Sequence, residues 1–114
     1  MDAGERALAL AALLAAWPVR FAVAGGTARW ACGRGEPPRD LDIVTGTEPG
    51  NLRALAAALA EIGGLRPPTA RTLARGEPCR VLTSFCPLDV FTAAAPPVRR
   101  YVSHLGVRIG VADA

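Results

Sequence analysis

Three acidic residues in apolar settings and one pair of glycines are the residues of this chain whose types and spacing can do chemistry. Asp40 and Asp42 flank Leu41 in the run Asp40-Leu41-Asp42-Ile43-Val44, and Asp89 sits in Pro87-Leu88-Asp89-Val90-Phe91. In an extended segment alternate side chains share a face, so Asp40 and Asp42 point one way and Leu41 and Ile43 the other. Two neighbouring carboxylates repel each other, and a divalent cation between them is the simplest relief. Upstream, Ala24-Gly25-Gly26-Thr27 closes an apolar stretch, with thirteen residues between Gly26 and Asp40. A Gly-Gly turn that opens a helix offers backbone N–H groups to a phosphate. Together these residues point to metal-dependent phosphoryl or nucleotidyl chemistry.

The elements that must position them can be read from apolar spacing and from breakers. Ala7 to Trp17 reads as a helix stopped by Pro18, and Val19 to Ala24 as a buried strand. Thr27 to Cys32 reads as a short helix behind Gly25-Gly26, and Gly33 to Arg39 as a loop. Leu41 to Thr45 is a second strand. Asn51 to Ile62 carries Leu52, Leu55, Leu59 and Ile62 at helical spacing, with Asn51 as N-cap and Gly63-Gly64 as the stop. Pro67-Pro68 marks a loop. Arg80 to Phe85, with a start as early as Ala70, and Leu88 to Thr92 read as strands around Cys86-Pro87; Pro96-Pro97 breaks the chain, and Val107 to Val111 is a last strand. This order predicts one α/β or α+β domain over residues 1–114, with a single mixed sheet and helices packed mainly on one face.

Composition narrows the chemistry further. The chain has 114 residues, half of them apolar, which is enough to bury a core. All thirteen basic residues are Arg, so a P-loop lysine and a Schiff-base lysine are both excluded. The net charge of +3 is mild and the arginines are scattered, a weak pull toward polyanions. Cys32, Cys79 and Cys86 lack metal-ligand spacing, and the odd count argues for free thiols in a reducing compartment. The apolar run from Ala7 to Trp17 mimics a signal peptide, but Asp2 and Glu5 remove its positive flank, and it is too short to span a bilayer. A cytoplasmic protein with no membrane partner is expected.

The succession of Ala24-Gly25-Gly26, Asp40-Leu41-Asp42-Ile43 and Leu88-Asp89-Val90 resembles the DNA polymerase β-like nucleotidyltransferase superfamily. Within it the chain is most similar to the small prokaryotic members, the minimal ones and those of the abortive-infection toxin type. Phe21 to Ala28, Arg39 to Val44, Arg80 to Phe91 and Gly106 to Ala112 look similar as well, so the likeness covers most of the chain. The spacing between Gly26 and Asp40 is at the long end for that pattern. The resemblance implies a nucleotidyltransferase fold in which Asp40, Asp42 and Asp89 are catalytic and hold Mg²⁺ in a two-metal site. Asp89 would hold the second metal and help to deprotonate the attacking hydroxyl. Gly25 and Gly26 would approach the phosphates of a nucleoside triphosphate such as ATP, with Arg39 and Thr27 beside them. The implied reaction moves a nucleoside monophosphate to a hydroxyl of RNA, protein or a small molecule and releases pyrophosphate.

The other reading is a weak or inactive nucleotide-binding regulatory module acting with a helical partner protein, as in a toxin–antitoxin pair. It is motivated by the small size, the Arg-only basic surface and the lack of a further helix, often bearing a Lys, where similar proteins continue. A homodimer formed through a sheet edge is compatible with either reading. Thr27 also suits a helix cap, and Arg29, Arg34 and Arg39 suit solvated surface or phosphate contact. His104, alone, is expected to be structural or exposed. The three cysteines are expected at buried apolar positions, and Trp17 and Trp30 as core or helix anchors.

Overall fold

Asp2 starts the first helix. Its carboxylate accepts the Glu5 backbone N–H at 2.8 Å, and α1 runs Ala3–Ala16, four residues earlier than the apolar run alone suggests. The computed structural model describes residues 1–63 and 65–113. The described residues form an α+β domain of four helices and one mixed six-stranded sheet, in the order α1, β1 (Phe21–Ala24), α2 (Gly25–Ala31), β2 (Leu41–Gly46), α3 (Pro49–Glu61), α4 (Ala70–Leu73), β3 (Cys79–Leu82), β4 (Pro87–Ala93), β5 (Arg100–His104) and β6 (Val107–Val111).

Across the sheet the strands run β3-β4-β2-β1-β6-β5. β2 lies parallel to β4 and antiparallel to β1; β1 is parallel to β6; β3–β4 and β5–β6 are antiparallel pairs. Alternation divides the sheet into two faces. Val23, Leu41, Ile43, Val81, Leu88, Val90, Ile109 and Val111 are buried against Leu10 and Leu14 of α1 and Leu55 and Leu59 of α3. The opposite face carries Arg80, Asp89, Asp42 and Ala24 in one row.

The helices are held by specific contacts. Trp30 of α2 stacks on Gly4 of α1 so closely that a Cβ at Gly4 would lie 2.6 Å from the indole. Trp30 is thus a helix anchor, whereas Trp17, at the end of α1, is more than a third exposed. Asn51 is not an N-cap. Pro49 occupies the first turn of α3, and Asn51 is buried inside the helix. Its side-chain oxygen accepts the Arg20 N–H at 2.7 Å, and its Nδ2 faces the Arg20 carbonyl, the Thr45 hydroxyl and the Gly46 carbonyl at 2.9–3.0 Å. Gly63, with φ +75°, follows α3 as expected; Gly64 lies outside the described residues.

Three further expectations change. Residues from Ala70 form a helical turn capped by Thr69 and pinned by the buried Leu73, not a strand. β3 ends at Leu82, short of Phe85, because the Thr83 hydroxyl donates to the Cys86 carbonyl at 2.7 Å and closes a turn. β5 was not anticipated. It is joined to β6 by Leu105-Gly106, both with positive φ (52° and 76°), and a Leu in that position gives no turn signal. Among the described residues no helix is long and apolar enough to cross a membrane. Cys86 is buried and Cys32 and Cys79 are half-buried, all three as free thiols.

Candidate functional site

The parallel register of β2 and β4 pairs Asp42 directly with Asp89, and the antiparallel register of β3 and β4 pairs Asp89 with Arg80. Two carboxylates predicted from separate parts of the sequence are therefore cross-strand neighbours. Asp40 precedes β2 and shares the face of Asp42 by alternation. The Thr27 hydroxyl, buried on α2, donates to the Asp40 backbone carbonyl at 2.8 Å and holds the entry to β2 against the helix. Thr27 is therefore a strut between elements, not the helix cap: Ala24 precedes α2 and supplies no side-chain cap.

Arg80 bridges the cluster. Its Nη1 donates to both oxygens of Asp89, at 3.1 and 2.9 Å, and its Nη2 donates to Asp40 Oδ2 at 3.3 Å. Asp42 lies outside this fork. Its carboxyl is pushed above the ordinary aspartate value, first by burial, then by the charge of Asp89 and a hydrogen bond shared with it; it feels Arg80 only as a nearby charge that partly offsets this rise. The carboxylates of Asp89 foremost, and of Asp40, hold the Arg80 guanidinium more firmly protonated.

Gly25 is fitted to this cluster. With φ +59° it adopts a conformation that L side chains avoid, and a Cβ there would stand 2.5 Å from Asp42 Oδ2. The turn that ends β1 thus passes directly against the Asp42 carboxylate. Beside it, a Cβ at Gly26 would come within 3.8 Å of Arg29 Nη2, so the Arg29 guanidinium folds back over the same turn. Arg39 is not brought to the carboxylates. It lines a separate cavity of about 350 Å³, with Arg6 and Met1 near the start of α1 and Phe85 of the β3–β4 turn. Arg34 pairs with Asp113.

The donor set of the cluster is all oxygen, which suits a hard cation such as Mg²⁺. Among the described residues no group of three His, Cys, Asp or Glu converges as a ready-made metal cage; Arg80 is inserted between Asp40 and Asp89 instead. Burial pushes the Cys79 and Cys86 thiols up, away from nucleophilic use. Arg80 is the site residue that sequence reading missed. A hairpin centred on the Thr83–Cys86 turn pairs Leu82 with Pro87 and so brings Arg80 beside Asp89, and that register was the available signal.

Comparison with protein-family models, with curated proteins and with solved structures finds no match for this chain.

Proposed function

We propose that this chain is a nucleotidyltransferase of the DNA polymerase β-like fold, transferring a nucleoside monophosphate from a nucleoside triphosphate to a hydroxyl acceptor. The observation that carries the reading is the cross-strand pairing of Asp42 with Asp89 beside the Gly25 turn. Sequence resemblance named these residues separately, and the fold brings them together on one face of the sheet. Asp40, Asp42 and Asp89 would hold Mg²⁺, which supplies charge neutralisation for the triphosphate and polarises the acceptor hydroxyl.

In this reading the chain's own groups have distinct tasks. Gly25 lets the turn approach Asp42, and Gly26 with Arg29 faces the phosphates. Thr27 holds the Asp40 backbone in place, and Arg39, one residue before Asp40, adds positive charge near the site. Asp89 takes the acceptor's proton as the acceptor oxygen bonds to the α-phosphorus. The bond from that phosphorus to the bridging oxygen breaks, and pyrophosphate leaves. The acceptor class is RNA, protein or a small molecule.

Calorimetric titration with each nucleoside triphosphate in Mg²⁺ tests the reading without knowledge of the acceptor. Metal-dependent binding by the wild type that Asp42→Asn abolishes, with the fold kept, is the expected result. Absence of binding by folded wild-type protein would remove the nucleotide site. The occupation of Asp40 and Asp89 by Arg80 favours a second reading, a regulatory module that binds nucleotide without turnover and acts with a partner. Nucleotide binding with no transfer to any of a broad panel of hydroxyl acceptors would select it.

A further inference from the structure

We infer that Arg80 is an internal counter-cation that competes with a divalent metal ion for the carboxylates of Asp40 and Asp89. The inference rests on the metal-site reading above and adds to it a residue that sequence did not identify. Three carboxylates on one sheet face, two of them cross-strand neighbours, carry a concentrated negative charge. A guanidinium forked between two of them is the protein's own means of holding that charge in check. Its Nη1 engages both oxygens of Asp89, and its Nη2 reaches past β4 to Asp40. The lone pairs that face Arg80 are the ones a metal ion would need. This also accounts for the lack of a convergent three-carboxylate group among the described residues.

The geometry permits exchange. The Arg80 side chain is 51% exposed and sits on β3, at the edge of the sheet, so it can swing into solvent without opening the core. Its bonds are exposed ion pairs, weak enough for a divalent ion to displace. Asp42, outside the fork, stays available as a first point of attachment for the incoming ion. The consequence is a site that binds free metal poorly until one positive charge leaves it.

The test is Mn²⁺ binding, read by calorimetry and by the paramagnetic signal of the free ion, on wild type, Arg80→Gln, Arg80→Lys and Asp42→Asn. Arg80→Gln is expected to bind Mn²⁺ about tenfold more tightly than wild type, because one competing charge is gone. Arg80→Lys, which keeps the charge, is expected to stay near wild type. A merely structural arginine would not tighten metal binding when removed. Equal or weaker binding by folded Arg80→Gln, with wild-type binding still lost in Asp42→Asn, would overturn the competition and leave the metal site standing. Absence of Mn²⁺ binding in both wild type and Arg80→Gln at millimolar metal would overturn the competition and the metal site together.

Discussion

Asp42 is the residue on which local physics and the proposed function meet. Its carboxyl is partly buried and lies next to Asp89, and both effects raise its proton affinity in the folded state. The folded chain therefore holds this proton more tightly than the unfolded chain. Its contribution to stability is full below the ordinary value of 3.8 and is lost as pH rises through the raised folded value. In metal-free protein, Asp42→Asn is expected to melt a few degrees higher than wild type at neutral pH, and the difference is expected to shrink as pH falls toward 3.8. Thermal melts of both proteins across the acid range check this; a difference that does not change with pH would place the strain elsewhere. Gly25 belongs to the same local problem, since only a residue without a Cβ leaves room for the Asp42 oxygen.

At the level of elements, the site depends on how helices are tied to strands. Thr27 ties α2 to the start of β2, and Asn51 ties α3 to the far end of β1 and β2. Asn51 replaces missing partners for backbone groups of Arg20 and Gly46 where the β1–β2 ladder ends. Asn51→Ala removes the side-chain partner of the Arg20 N–H and the Gly46 carbonyl, while the Arg20 carbonyl keeps the Gly46 N–H and the Thr45 hydroxyl, and is expected to cost about 2–4 kcal/mol, read by urea denaturation. A loss below about 0.5 kcal/mol would show that water replaces the side chain without penalty. Helix α3 was legible in the sequence because its leucines repeat at helical spacing. The role of Asn51 was not legible, because a polar residue near a helix start looks the same whether it caps that helix or reaches into another element.

For the whole molecule, the strand order places β2 and β1 at the centre and β3 and β5 at the edges. The two central strands join the carboxylate cluster to the glycine turn, while Arg80 stands on an edge. Amide exchange is expected to be slowest at Val23 and Ile43 and faster at Tyr101 and Ser103 on β5, because edge strands open without breaking the core. Equal protection across the sheet would indicate that β5 is covered in solution by another chain. The radius of gyration, 12.6 Å, is close to the value of about 13 Å expected for a compact chain of this length. The core is continuous, with Ile109 and Val111 of β6 in the same cluster as Leu10 and Leu14 of α1.

By itself the sequence determined that Asp40 and Asp42 share a face, that Leu41 and Ile43 turn inward, and that a glycine turn precedes the acidic strand. These follow from strand alternation and from the backbone freedom of glycine, both properties of a few adjacent residues. The strands β1, β2, β4 and β6 and the helices α1 and α3 were legible in the same local way, from apolar residues repeating at strand or helical spacing. Only the tertiary structure decided that Asp89 stands beside Asp42, that Arg80 is forked between Asp89 and Asp40, and that Arg39 turns to another cavity. Each of these depends on strand register and order. The β2–β4 register is set by long-range burial of one whole face, which no local run of residues encodes, whereas the β3–β4 register follows from the Thr83–Cys86 turn.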